Sequence, residues 1–237
     1  MIKLIAFDLD GTLTQHKTKL SEENRRVLDA LGEKYKLVMV GAGKCERMFE
    51  QMDKYPIDII GNYGLEVSLY DKDIRGLKKT VSHKFDCDRE AVSARVAALR
   101  EQFGFTEYRG DSVEFHDSGC ITFAILGTKA IQEEKLAFDP DRAKRRKIYK
   151  EVCDVFPEYT VFIGGSSSFD MAPAPFDKRY SLETYCREFG ISPDEAVFVG
   201  DDYGEGGNDE SVYKSDFRFI KIDDYRLFGE AVKELLQ

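Results

Sequence analysis

At 237 residues, with 42% hydrophobic and 33% charged side chains, the chain is long enough for one large domain or two modest ones with packed cores. A formal net charge of −9 disfavours wholesale nucleic-acid binding, and the local run Lys144-Arg145-Arg146-Lys147, which no aromatic interrupts, reads as the solvated face of a helix. The odd, widely spaced set Cys45, Cys87, Cys120, Cys153 and Cys186 has no metal-ligand spacing, and no leader-like or membrane-spanning apolar run occurs, so reduced thiols in a cytoplasmic protein without a membrane partner are expected.

Taken in order, the short apolar run from Ile2 to Phe7 predicts a buried strand whose alternation puts Asp8 and Asp10 on one side, just before the turn at Gly11. Two carboxylates that close repel, which is tolerated where they share a proton or a hard divalent cation such as magnesium. Ser21 then caps a helix with Val27, Leu28 and Leu31 on its apolar stripe, and Leu37–Val40 is the second strand. Gly41-Ala42-Gly43 turns the chain into a helix carrying Met48, Phe49 and Met52, and Ile57–Ile60 is a third strand. This alternation implies a parallel sheet covered by helices. The chain stays extended from Asn62 to Leu69, and the polar segment from Asp71 to Thr80 reads as a connector leaving the first domain.

A second module follows. Asp88 caps a helix with Val92, Val96, Leu99 and Phe103 at helical spacing, ended by Gly104. Ser112–His116 and Cys120–Leu126 read as a hairpin, Asp141–Phe156 as a basic helix, and Tyr159–Ile163 with Ser167–Met171 as another strand pair. Beyond Pro173 and Pro175 the first pattern resumes: a helix from Lys178 towards Gly190, a strand Ala196–Gly200 emptying into Asp201-Asp202, a strand Phe217–Ile220 and a last helix to Leu236. The fold class is therefore α/β, a Rossmann-like parallel-sheet core over 1–80 and 178–237, with a smaller α+β cap inserted at 81–177 that holds an antiparallel sheet and two helices.

In such a sheet, sites form beyond the carboxyl ends of the strands. Asp8, Asp10, Gly41 to Gly43 and Asp201-Asp202 fall at that edge, and Lys178 can add one positive charge at a helix start. The set suits phosphoryl transfer: Asp8 attacks phosphorus, Asp10 exchanges protons with the leaving oxygen and with water, and Lys178 neutralises charge. Magnesium would be held by Asp8, Asp201 and a backbone oxygen of Asp10.

FDLDGTLT, GAGK, Lys178 in FDKRY, and GDDYGEGGND together resemble the four ordered motifs of the haloacid dehalogenase superfamily over the whole chain. EFHDSG, QEEK, IGGSSSFD and FDKRYSL resemble the eukaryotic-type phosphomannomutases, which interconvert mannose 6-phosphate and mannose 1-phosphate. The resemblance implies Asp8 as nucleophile, Asp10 as general acid and base, Lys178 as the phosphate-neutralising lysine and Asp201 as the magnesium ligand. It also implies Asn208 and Asp209 as support for that site, and Ser168 and Asp170 as cap residues contacting the sugar.

Two departures bear on the reaction. Gly43 stands where that family has a serine, so a hydroxyl donor is missing and a backbone amide is expected in its place. Lys17, His116, Thr128 and Lys135 stand where the family holds the second phosphate with arginines. None supplies the planar bidentate fork of a guanidinium. A mutase must keep a bisphosphorylated intermediate bound, whereas a phosphatase needs only to admit water, so the expectation is a magnesium-dependent phosphatase for a small phosphorylated metabolite, most plainly a sugar phosphate, with a phosphomannomutase-type mutase as the alternative. A silent sugar-phosphate-binding protein stands third. The cap is expected to close over the core, and no feature of the sequence argues for or against a homodimer.

Overall fold

The computed structural model describes all residues, 1–237. It divides into two compact units, one made of Met1–His83, Asp177–Gly204 and Asp209–Gln237, the other of Lys84–Phe176 with the short stretch Glu205–Asn208.

In the first unit, β1 (Leu4–Phe7) is buried at every position, as an apolar run in the middle of a parallel sheet must be. α1 (Glu22–Gly32) starts where the Ser21 side chain accepts the Asn24 N–H, and packs Leu28 and Leu31 inward. β2 (Lys36–Val40), α2 (Cys45–Gln51) and β3 (Asp58–Gly61) complete the first alternation. A tight helical turn at Asn62–Gly64 then reverses the chain into β4 (Glu66–Asp71) and β5 (Gly76–Ser82).

That last strand corrects the expected connector. β5 pairs antiparallel with β4 along its length, so Asp71–Thr80 is a hairpin at the sheet edge, and a domain break after Thr80 would fall inside a strand. The segment reads as polar because an edge strand faces water on one side, and the exposed lysines Lys78 and Lys79 are what protects such an edge from pairing with another chain.

The second unit opens with α3 (Arg89–Phe103), capped by Asp88 and ended by Gly104 at φ 72°. It continues with β6 (Val113–Phe115), β7 (Ile121–Ala124), α4 (Gln132–Phe138), α5 (Ala143–Arg146), α6 (Tyr149–Val155), β8 (Tyr159–Phe162) and β9 (Ser168–Pro173). Its sheet runs β6-β7-β9-β8, all antiparallel. The unit has four helices rather than two. α4 buries none of its side chains, so it leaves no apolar period to read.

The expected basic helix is broken between α5 and α6, and Arg145 is not on a solvated face. Its side chain is 1% exposed. The guanidinium donates to Asp139 at 2.8 Å and to the carbonyls of Gly164, Gly165 and Ser168. A buried charge must be paired and its donors filled, and here the filling fixes the loop that leads into β9.

Back in the first unit, α7 (Lys178–Glu188) is capped by the Asp177 side chain, and β10 (Ala196–Gly200), α8 (Glu210–Tyr213) and β11 (Arg218–Lys221) follow. The expected last helix is two pieces, α9 (Phe228–Ala231) and α10 (Lys233–Leu236), because Val232 leaves helical geometry at φ −102°, ψ 9°. The sheet order is β11-β10-β1-β2-β3-β4-β5, the first five parallel. No helix is long and apolar enough to cross a membrane. The buried thiols of Cys45 and Cys186 are pushed up to about 12 by burial, which leaves them unreactive.

Candidate active site

β10, β1 and β2 lie side by side and parallel, so the residues that follow them emerge at one edge. Asp201 follows β10, Asp8 follows β1 and Gly41 follows β2. The Asp8 N–H donates to Val199 O at 3.0 Å, tying the first two strand ends together.

Lys178, the first residue of α7, has no exposed side-chain surface and its Nζ lies 2.7 Å from Asp8 Oδ1 and 2.7 Å from Asp209 Oδ1. Asp209 is fully buried, and its Oδ2 accepts the Asp202 N–H at 3.0 Å. Asp201 accepts from the Thr12 hydroxyl at 2.9 Å. The ligand-capable oxygens of Asp8, Asp201 and Asp209 all lie within 4.8 Å of one another. Gly11, at φ 99°, makes room for this packing: a Cβ there would come 2.3 Å from Asp201 Oδ2, and the left-handed backbone would strain any side chain.

The charges do not balance. Three carboxylates share one ammonium, and burial is the largest influence on each carboxylate that shifts. It raises the Asp8 carboxyl well above its ordinary value against the pull of Lys178, with Asp209 and Asp201 adding to the rise. It raises Asp201 to about 6. For Lys178 burial acts to lower the pKa, but Asp209 and Asp8 together outweigh it, and the ammonium stays protonated. A cluster with this excess of buried negative charge fits a hard divalent cation.

Asp10 is wired separately, and its carboxylate is not part of that acidic group. Oδ1 accepts from Gln51 Nε2 at 2.6 Å and from the Lys17 N–H at 2.7 Å, while Arg47 Nη2 lies 3.6 Å from Oδ2. Lys17 thus meets this site through its backbone, at φ 57°, and its side chain is exposed. Gly43 accepts the Asn62 N–H at 2.8 Å through its carbonyl. Asn208 is half-buried one residue before Asp209.

The cap residues gather elsewhere, on the cap sheet. Glu114, Thr122 and Asp170 are paired in register across β6, β7 and β9, and strand alternation puts His116 and Ser168 on the same face. The Thr122 hydroxyl donates to Asp170 Oδ1 at 3.0 Å, which leaves its oxygen to accept from His116 Nε2 at 3.1 Å. Burial raises the Asp170 carboxyl, opposed by Thr122 and by His116. Ser168 Oγ donates to Gly164 O at 3.1 Å. Lys135, on α4, reaches Thr128 O at 3.4 Å, and Thr128 Oγ1 accepts the Asp111 N–H at 3.0 Å. Thr128 also lines an open cavity of about 460 Å³ with Arg89, Asp111 and Glu114. Sequence reasoning passed over Thr12, Gln51, Arg47 and Thr122. Only Thr12 carried a signal, its place inside the first motif.

The chain is similar to known proteins along most of its length. The sequence model of eukaryotic phosphomannomutase matches residues 24–223. A phosphomannomutase of Arabidopsis thaliana is 30% identical over 231 residues, covering 88% of this chain and 86% of that protein. One from Saccharomyces cerevisiae is 28% identical over 219 residues, covering 89% and 84%. Among solved structures, a phosphatase of the haloacid dehalogenase superfamily from Bacteroides thetaiotaomicron superposes with a TM-score of 0.65 over 99% of this chain and 95% of that one, at 17% identity, a likeness of fold.

Proposed function

The chain belongs to the eukaryotic phosphomannomutase family, and from that premise we propose that it carries a phosphoryl group of a hexose phosphate on Asp8 and returns it to a sugar hydroxyl, the mutase chemistry its relatives are named for. The observation that carries this reading is the buried Lys178 ammonium set 2.7 Å from both Asp8 and Asp209, with Asp201 closing the cluster.

Asp8 Oδ attacks phosphorus, the bond from phosphorus to the sugar oxygen breaks, and Asp10 gives that oxygen its proton. Asp10 is suited to this because Gln51 and the Lys17 N–H hold its carboxylate in one orientation outside the acidic triad. In the return step Asp10 takes the proton from the incoming hydroxyl as it attacks the phosphorus on Asp8. Lys178 offsets the charge on the transferring group. Magnesium would be held by Asp8, Asp201 and Asp209 with a backbone oxygen of Asp10. When bound it supplies charge neutralisation that lets an anionic phosphate approach carboxylates.

Hydrolysis, with water as the incoming nucleophile, is the second reading, and a specific observation favours it. Thr128 and Lys135 are turned to local backbone groups, His116 is bonded to Thr122, and Lys17 meets Asp10 through its N–H. A second phosphate finds no bidentate guanidinium at these positions. A coupled assay with mannose 1-phosphate, a hexose bisphosphate activator and magnesium decides between the two. Isomerised sugar phosphate formed faster than free phosphate supports the mutase; free phosphate formed faster supports hydrolysis. Neither product from any sugar phosphate would overturn both.

A further inference from the structure

In the core site, Gly43 and Arg47 occupy each other's space. Gly43 lies in the turn between β2 and α2, and a Cβ added to it would come 2.2 Å from Arg47 Nη2, 2.6 Å from Nε and 2.7 Å from Cζ. The guanidinium therefore lies against the backbone of that turn, where a side chain at residue 43 would otherwise be. Two residues earlier in the same turn, a Cβ on Gly41 would come 4.0 Å from Asp8 Oδ1, so the turn borders the Asp8 carboxylate.

The guanidinium is also anchored. Nη1 donates to Gln51 Oε1 at 2.7 Å, and Gln51 Nε2 in turn donates to Asp10 Oδ1 at 2.6 Å and to Thr14 Oγ1 at 3.0 Å. Nη2 lies 3.6 Å from Asp10 Oδ2, close enough to attract but beyond a hydrogen bond. The side chain is 43% exposed, and only Nη1 of the fork makes a hydrogen bond.

We propose that Arg47 is a phosphate-binding residue of this site, supplying from α2 the donor that Gly43 cannot. The inference rests on the phosphoryl-transfer reading of the core but is indifferent to whether water or a sugar hydroxyl receives the group. A hydroxyl at residue 43 and a guanidinium from residue 47 are alternative ways to meet the same phosphoryl oxygens, and the 2.2 Å approach means that a side chain at 43 requires the guanidinium to move from where it lies. A planar cation with several donors suits an oxygen-rich anion better than one backbone amide.

The test is binding of inorganic phosphate and orthovanadate to the full chain in magnesium, by calorimetry, for wild type, Arg47→Ala, Arg47→Lys, Gly43→Ser and the double variant Gly43→Ser/Arg47→Ala. Arg47→Ala is expected to weaken both anions by about tenfold or more, as loss of a charged hydrogen bond does, and Arg47→Lys by less. Gly43→Ser alone displaces the guanidinium and also weakens them. The double variant, whose serine has room, binds more tightly than Arg47→Ala alone, a recovery that a merely structural role for Arg47 would not produce. Because Arg47 is exposed, its thermal midpoint is expected to stay at the wild-type value. Binding by Arg47→Ala within twofold of wild type, or a double variant no better than Arg47→Ala, overturns the assignment. Failure of the wild type itself to bind either anion overturns the phosphoryl-transfer reading and this inference with it.

Discussion

The core cluster and the polar row of the cap sheet both centre on carboxylates, after strands in the first and on strands in the second, yet they are wired in opposite ways. In the core every carboxylate of the triad is buried or half-buried, and a fully buried ammonium joins two of them. On the cap, Asp170 is bonded to a hydroxyl, which is bonded to an imidazole, with no ammonium or guanidinium in the chain of bonds. Under the proposed function, the first arrangement suits a group whose charge changes during reaction, and the second suits the neutral donors and acceptors of a sugar. The core cluster thus gathers carboxylates around an ammonium, whereas the cap row joins its carboxylate to a hydroxyl and an imidazole.

The largest expected effect breaks the core. Asp8→Asn removes the proposed nucleophile while leaving its shape, and should lower phosphoryl transfer by about a thousandfold or more in a steady-state assay. Lys178→Met follows, at about a hundredfold in rate, and strands Asp8 and Asp209 without a partner, at a cost of about 3 kcal/mol in urea denaturation. The cap is sharpened by adding what it lacks: arginines at 116, 128 and 135 together should raise isomerisation relative to phosphate release by about tenfold, read from the product ratio.

The remaining effect is on stability alone. Burial raises Asp201 from 3.8 to about 6, so the folded chain holds a proton that the unfolded chain has already lost. That contribution is complete below pH 3.8 and is lost as the pH rises through about 6. In chelator at pH 7.5, Asp201→Asn should therefore be more stable than wild type by about 3 kcal/mol, a difference that disappears below pH 4 and shrinks when magnesium is added.

The same contrast explains what could be read from sequence. Asp8 and Asp201 follow buried apolar strands, and parallel topology brings such ends to one edge, so their meeting was legible, whereas Lys178 was marked by its motif at a helix start. Asp209 was foreseen as support for the site, but its direct bond to Lys178 depends on how the loop after β10 returns, which no period encodes. Gln51 and Arg47 project from α2 towards Asp10 over 41 and 37 residues of separation, without a motif to mark them. Arg145 was misread because a run of basic residues gives no sign of which one turns inward to fill three carbonyls. β5 was misread because an exposed edge strand has the composition of a linker.

The measurement closest to the central claim is a rapid quench of the enzyme with a phosphoryl-labelled hexose phosphate in magnesium, followed by peptide mapping. A base-labile label on the peptide containing Asp8, formed and lost at rates that match turnover and absent from Asp8→Asn, is the predicted result. Turnover without label at Asp8, or label that persists through turnover, would contradict it.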